Sequence, residues 1–266
     1  MPQTIDQPAS AGSDGGGPPP IGPPRGGERP GGRRFPAPSR LQIVLTAVAV
    51  VVLATAGTVA VVTKSSTTSP ANALPASQVN LMGLTNAGNR VAPDVTLTDQ
   101  HGAAVSLASL RGKAVVLEFM DPHCTDICPI ISQELVDAYR DLGPSASKVA
   151  FVAVNVNPYY TSRAAVATFT AEHGLDHVPT WHFLTGPVAA LRTAWSSYGV
   201  TVEPRGPNLD VLHSSLMYFI DASGHERWLA NPTDSKTPAG TGYLPPSQIT
   251  QWGHDIAAVS RQLLPA

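Results

Sequence analysis

Cys124 and Cys128 are the only cysteines among 266 residues, and they stand four apart in Met120-Asp-Pro-His-Cys-Thr-Asp-Ile-Cys-Pro129. A cysteine thiolate is both a nucleophile and a ligand for soft metals. A pair with three residues between can close a disulfide once the Cα atoms come within about 7 Å. The same pair can instead hold two sulfurs around one soft ion. The flanking sequence favours either chemistry. Val115-Val-Leu-Glu-Phe119 reads as a buried strand, and Ile131, Leu135, Tyr139 and Leu142 repeat at helical spacing up to Gly143. Proline is tolerated in the first helical turn and disruptive later, so Pro129 places the helix start near Asp126 to Pro129. Cys128 then opens the helix and Cys124 lies in the loop before it. The positive end of the helix dipole favours a thiolate there. The carboxyl end of a buried strand, running into a helix, is also where α/β proteins place their chemistry.

The rest of the chain must position that pair. Val95-Thr-Leu97 and Val105-Ser-Leu107 flank a turn at Asp99-Gln-His-Gly102 and read as a leading hairpin. Val149-Ala-Phe-Val-Ala-Val-Asn-Val156 is a continuous apolar run, the pattern of a central parallel strand. Ser162 is placed to cap a helix with Val166 and Phe169 inward, ending at Gly174. Trp181-His-Phe-Leu184 is a short strand, followed by a helix over 187–198 closed by Gly199. Leu216-Met-Tyr-Phe-Ile220, a turn at 221–224 and Glu226-Arg-Trp-Leu-Ala230 form a second hairpin. Ser247 starts a last helix with Ile249, Trp252, Ile256, Val259 and Leu263 on one face. Asn231 to Pro246 reads as a Pro- and Gly-rich loop of about 16 residues, whose role, contact with a partner or cover for the sheet edge, the sequence leaves open. Strands interleaved with helices define an α/β domain with a mixed sheet over residues 82–266.

Ahead of that domain the composition changes. Residues 1–40 hold 10 Pro and 9 Gly with almost no large apolar side chains, too little buriable surface to offset chain entropy, and read as a disordered tail. Residues 41–62 carry no charge. As a helix they extend roughly 33 Å, enough to cross a bilayer core. The span exceeds the ~7–15 apolar residues of a signal peptide, so it reads as an uncleaved anchor; the alternative is cleavage at Ala71-Asn-Ala73. Arg25, Arg29, Arg33, Arg34 and Arg40 precede it and only Lys64 follows closely. By the positive-inside rule the amino terminus is cytoplasmic and the carboxyl-terminal domain extracytoplasmic, at the cell membrane. That compartment permits disulfides. Residues 63–81 form a small, polar linker. A net charge of −2 argues against nucleic acid as a partner.

The order of elements resembles a thioredoxin fold with a leading β-hairpin and an inserted strand–helix unit, over roughly residues 90–263. In thioredoxin-like oxidoreductases a cis-proline faces the cysteines from the loop before the strand that here is 216–220. No proline stands between Asn208 and Ser215; His213 occupies that neighbourhood. Two thiolates and one imidazole suit copper, because soft sulfur selects Cu(I) and imidazole accepts either oxidation state.

With these residues the chain resembles the Sco/SenC family of copper-binding proteins. The matching pieces are Cys124-Thr-Asp-Ile-Cys128-Pro129 against Cys-Pro-Asp-x-Cys-Pro, and His213-Ser214 ahead of Leu216-Met-Tyr-Phe-Ile-Asp221. Val154-Asn-Val-Asn-Pro158, Leu184-Thr-Gly186 and Trp195-Ser-Ser-Tyr-Gly-Val200 support them. The resemblance implies copper, as Cu(I), Cu(II) or both, held by Cys124, Cys128 and His213. It also implies a metallochaperone assisting assembly of the copper centre of cytochrome c oxidase, whose copper-bearing subunit is the expected partner. Thr125 departs from the family's proline, and Leu212 stands where many members have aspartate. Asp126 and Asp210 are candidates to orient a ligand or attract a cation, and His123 is a further candidate beside Cys124. Met120 and Met217 read as packing residues.

Two other readings compete. A thiol–disulfide oxidoreductase acting on extracytoplasmic protein cysteines would use Cys124 and Cys128, and Val178-Pro-Thr-Trp181 resembles its proline segment. Pro179, however, precedes the inserted strand, and the spacer between the cysteines has three residues where those enzymes usually have two. A tethered adaptor with a structural disulfide is the plainest alternative. A peroxiredoxin would want threonine where Asp121 stands.

Overall fold

The structure is a computed structural model that describes residues 82–209 and 211–265. The tail 1–40, the apolar span 41–62, the linker 63–81 and Asp210 lie outside the described residues. Among the described residues no helix is long and apolar enough to cross a membrane.

The chain runs through β1 (Thr85–Val91), β2 (Thr96–Thr98), β3 (Ala104–Ser106), β4 (Ala114–Met120), α1 (Ile127–Leu142), β5 (Val149–Asn155) and α2 (Arg163–Glu172). It continues through β6 (Trp181–Leu184), α3 (Val188–Ser197), β7 (Val202–Glu203), β8 (Leu212–His213), β9 (Met217–Ile220) and β10 (His225–Ala230). The small β11 (Ser235–Lys236) and β12 (Gly242–Tyr243) precede α4 (Pro246–Gln262). Six strands form one mixed sheet in the order β1-β10-β9-β4-β5-β6. β4, β5 and β6 are parallel, and β9 runs antiparallel beside β4. Every residue of β4 and β5 is buried, as their unbroken apolar runs require of strands covered on both faces.

Strand alternation sorts the core into two layers. Val116 and Met120 of β4 pack with Ile131 and Leu135 of α1, Phe169 of α2 and Trp252 and Ile256 of α4. Val115, Leu117 and Phe119 pack with Leu191 and Trp195 of α3 and with Leu97 and Val105 of the β2–β3 hairpin. The hairpin turns as expected, with Asp99 Oδ1 accepting from the backbone N–H groups of His101 and Ala103. Gln100 next to it pairs with the carbonyl of Trp181 and the N–H of Phe183, occupying the open edge of β6. Ser162 caps α2 through Ala165 N–H, and Gly143 closes α1 at φ 53°.

Three expectations are corrected. The hairpin is not the first element: β1 precedes it and forms the sheet edge against β10. Its sequence, TNAGNRV, is exposed almost throughout, so no apolar alternation marks it. The last helix starts at Pro246 rather than Ser247, because proline suits the first helical position. The stretch 231–246 is not a plain loop but carries the β11–β12 ladder.

One strand residue breaks the apolar rule. Glu118 of β4 is fully buried, and desolvation pushes its carboxyl up to about 8. Glu134 on α1 is pushed up to about 9, by burial first and by the nearby Glu118 second. One oxygen of each lacks a hydrogen-bond partner among the described residues. Folded-state values above the unfolded ones mean that stability is full below about pH 4.5 and is lost as pH rises towards 8 and 9. Each group contributes a slope of roughly 1.4 kcal/mol per pH unit in that window. Glu118→Gln is expected to remove at least one such slope, leaving the chain more stable than wild type at pH 8 and little changed at pH 4. Urea unfolding at pH 4, 6 and 8 checks this; equal pH slopes for the two proteins would refute it.

Candidate functional site

The cysteines sit where β4 ends. Beyond Met120 the chain turns on Asp121, which is 1% exposed. Its carbonyl accepts from Cys124 N–H at 3.1 Å, and its Oδ1 accepts from His123 N–H at 2.7 Å. Asp126 takes the N-cap position of α1 without a side-chain capping bond, and Cys128 and Pro129 lie in the first turn. Cys128 is 0% exposed and Cys124 is half-buried. Both are free thiols.

The environment splits their acidities. The Cys128 thiol beside it, together with the backbone N–H groups of Cys128 and Asp126, holds Cys124 below its ordinary value despite its burial. Cys128 is driven well above its ordinary value by its place beside Cys124 and by complete desolvation. Cys124 is therefore the reactive sulfur, reachable from solvent, and Cys128 is the proton-bearing donor behind it.

Asp121 also gathers the neighbouring segments. Its Oδ1 accepts from Asn157 Nδ2 at 2.9 Å, and its Oδ2 lies 3.5 Å from the N–H of Val211. Asn157 is fully buried just past β5, where its Oδ1 accepts from Tyr159 N–H and its own N–H donates to Asn155 Oδ1. The cysteine loop, the end of β5 and the segment that leads to His213 thus meet at one carboxylate.

His213 does not stand in a loop: it lies in β8, paired with Val202 of β7. Its ring is partly buried in a recess lined by Thr201, Glu203, Leu212 and Ser214. Nδ1 lies 3.0 Å from the carbonyl of Ser214. A carbonyl only accepts, so Nδ1 carries the proton and Nε2 keeps its lone pair. Burial lowers the imidazole's pKa, against the Ser214 carbonyl and the charge of Asp121, which favours the neutral ring. The structure brings the two cysteines together and places His213 in the β7–β8 ladder, just after Val211, whose N–H lies against Asp121. Among the described residues no three His, Cys, Asp or Glu side chains are gathered closely enough to hold one metal ion.

Asp126 is paired with Lys236 of β11, which also contacts Asp234 at 2.8 Å. His123 is exposed, its ring stacked on Tyr160 with centroids 4.4 Å apart. Pro179 leads into β6, at the sheet edge beyond β5. It therefore does not occupy the position before β9 that faces the cysteines. Met120 and Met217 are fully buried packing residues. Asp121, Asn157 and Lys236 were not singled out from the sequence. Polar residues closing the apolar runs of β4 and β5 were the available signal for the first two.

A mixed sheet with a dithiol at the start of the helix after a central strand defines a thioredoxin-like dithiol protein. The SCO1/SenC family model matches residues 84–239, more than half of the chain, and the chain belongs to that family. It is 28% identical over 132 residues to the SCO1 homolog of Bacillus subtilis, covering 48% of this chain and 67% of that protein. It is 31% identical over 137 residues to the human mitochondrial SCO2 homolog, covering 49% of this chain and 50% of that one. The chain thus spans about half the length of the mitochondrial relative. The structure of Bradyrhizobium japonicum ScoI with copper bound shares the fold at a TM-score of 0.51 and 23% identity, over 65% of this chain and 99% of ScoI.

In the reduced chain, iodoacetamide at pH 7 is expected to label Cys124 at least about tenfold faster than Cys128, given the opposed shifts of the pair. Cys128→Ala removes the neighbouring donor and is expected to slow labelling of Cys124. Peptide mass spectrometry at timed quenches checks both; even labelling of the two thiols would refute the asymmetry.

Proposed function

We propose that this chain is a copper carrier that takes up Cu(I) through Cys124 and Cys128, is completed by His213 Nε2, and assists assembly of the copper centre of cytochrome c oxidase. The observation that carries the reading is the free dithiol at the end of β4, one sulfur disposed to ionise, with a neutral imidazole in the β7–β8 ladder. The donor set fits the cargo. Thiolates select Cu(I) over hard cations. A histidine whose Nδ1–H is spent on a backbone carbonyl has its other nitrogen oriented and basic, the usual arrangement for a metal-bound imidazole. Membership of the SCO1/SenC family supports the same reading.

The chain's own residues supply three functions. Cys124 offers the sulfur that solvent can reach, and Cys128 must give up its proton before it can serve as a second thiolate. Asp121, through Val211 N–H, ties the segment that leads to His213 to the carboxylate that opens the cysteine loop. Thr125 and Leu212 are both exposed, so neither departure from the family pattern disturbs the core. Asp126 belongs to the ion pair with Lys236 and acts on the loop through it. Asp210 would serve as an orienting carboxylate. The span 41–62 would tether the domain to the membrane with the copper site on the extracytoplasmic side.

A second reading has its own support. The split acidity of the pair suits thiol–disulfide exchange, with Cys124 attacking and Cys128 resolving. The two activities share one requirement, because a disulfide abolishes the thiolate site.

Chelator-competition titration with Cu(I) tests the carrier reading. Reduced chain is expected to bind one Cu(I) and oxidised chain none; equal uptake by both would overturn it. His213→Ala is expected to weaken binding by about 10–100-fold, roughly 1.4–2.8 kcal/mol. Unchanged affinity would remove His213 from the ligand set.

A further inference from the structure

We propose that Tyr160 is a positioning residue for the histidine of the copper site: its hydroxyl pins the bend between β7 and β8 to the cysteine-loop side of the domain and so limits how far the strand bearing His213 strays from the dithiol. The inference rests on the carrier reading.

The need for a pin follows from the ladder itself. β7 and β8 meet in two residue pairs, Val202 with His213 and Glu203 with Leu212, and stand apart from the six-stranded sheet. An isolated two-stranded ribbon is marginal at best in water, so other contacts must set its place on the domain. On the β7 side, Val200 and Val202 pack against the apolar layer that contains Trp195. On the approach to β8, residues 203–209 are exposed apart from Gly206. Two contacts tie that approach down. Tyr160 Oη donates to the Pro207 carbonyl at 2.9 Å, and Val211 N–H lies 3.5 Å from Asp121 Oδ2. The second is at the limit of hydrogen bonding, which leaves the Tyr160 bond as the firmer tie. Leu209 N–H bonds the Gly206 carbonyl at 3.3 Å, closing a turn around Pro207, so a hold on Pro207 is a hold on the turn.

Tyr160 itself stands on a rigid post. Its carbonyl accepts from Nδ2 of Asn155, which is fully buried at the end of β5, at 2.9 Å. Tyr159 N–H donates to Asn157 Oδ1, and the Thr161 carbonyl accepts from Thr185 Oγ1, each at 2.9 Å. The backbone on both sides of Tyr160 is thus fixed to the sheet. Its ring lies on His123, with centroids 4.4 Å and planes 15° apart. His123 adjoins Cys124, and its N–H bonds Asp121 Oδ1. One side chain therefore spans from the residue beside the first cysteine to the bend ahead of the His213 strand, 47 positions on.

Cutting the pin leaves β7 seated and lets the approach to β8 swing. The share of chains with His213 closed on a sulfur-bound ion falls, and the apparent affinity falls by the same factor. One neutral hydrogen bond shifts such an equilibrium by about 3–10-fold. The sulfurs are untouched, so the loss is felt only while an imidazole stands at position 213.

The test uses the full, reduced chain carrying Tyr160→Phe, Tyr160→Leu or, as a control, Tyr159→Phe, whose target is 46% exposed. Tyr160→Phe deletes the hydroxyl and keeps a ring on His123; Tyr160→Leu deletes both. Without metal, hydrogen exchange of the Leu209 and Val211 amides is expected to quicken about 3–10-fold in both Tyr160 variants. The β5 amides should stay as protected as in wild type, and Tyr159→Phe should match wild type throughout. Cu(I) competition titration is then run on each variant with His213 present and with His213→Ala. Tyr160→Phe is expected to weaken binding about 3–10-fold in the first background and less than about twofold in the second. Wild-type exchange in Tyr160→Phe would overturn the pin. An equal loss of affinity in both backgrounds, or none in either, would overturn the positioning role. A wild-type chain that takes up no Cu(I) would sink the carrier reading, and the positioning role with it, while the exchange data still decide the pin.

Discussion

A carboxylate without solvent holds the working end of this protein together. Asp121 is buried at the point where β4 runs out, and a buried carboxyl group is tolerated only when its oxygens are occupied by donors. Here the donors come from His123, Asn157 and Val211, on three separate segments. Meeting the needs of one side chain therefore fixes the relative position of the cysteine loop, the end of β5 and the approach to His213. Losing the Val211 N–H would leave Oδ2 without its donor, at a cost of about 1–3 kcal/mol, whereas Oδ1 is shared by two donors. The site is thus specified by electrostatic necessity rather than by the shape of the apolar core. Asn157 takes part on the same terms: its side-chain oxygen is committed to Tyr159 N–H, so its amide is free to donate to Asp121.

The same principle accounts for the division of labour between the sulfurs. Cys128 faces the layer that contains Ile131, Leu135 and Met120, where a thiolate would be unsolvated, and so it keeps its proton. That proton then stabilises charge on Cys124, which also accepts from two backbone N–H groups. Neither residue is unusual alone. Four positions of chain, the last two of them opening α1, place one sulfur inside the core and the other at its boundary. Burial and hydrogen bonding then act in opposite directions across a single pair.

Much of this was legible in the sequence because it depended on local pattern. β4, β5 and β6 announce themselves as apolar runs, and Pro129 and Gly143 bracket α1 by their backbone preferences. The placement of Cys124 before the helix and Cys128 within it followed from Pro129 alone. What escaped was held by pairing rather than pattern. β1 has a polar, exposed sequence and exists because β10 offers it an edge. The β7–β8 and β11–β12 ladders contribute two residues per strand, too short for any periodicity. The partners of Asp121 lie 36 and 90 positions away, and those of Asp126 lie 110 away. Sequence spacing carries no information about contacts of that range, so His213 could be assigned to the neighbourhood but not to a ladder.

That ladder bears on how a carrier differs from a resident metal site. A site with all three ligands preassembled pays nothing to close and binds tightly, but it releases slowly. Here the dithiol is ready, while the imidazole is held by its own backbone, Nδ1 against the Ser214 carbonyl and Val202 across the ladder. On the carrier reading, any shift of the β7–β8 segment needed to bring Nε2 to a sulfur-bound ion lowers the apparent affinity by the fraction of chains in the closed arrangement. Each 1.4 kcal/mol spent on that shift weakens binding tenfold. Gly206, at φ 126°, and the flanking Pro204 and Pro207 place a bend between the two strands. Tyr160 anchors the far side of the bend through the Pro207 carbonyl, and its ring stacks on His123. On the carrier reading, the third ligand is therefore the adjustable one: the sulfurs determine which ion is taken, and the ladder determines how readily it leaves.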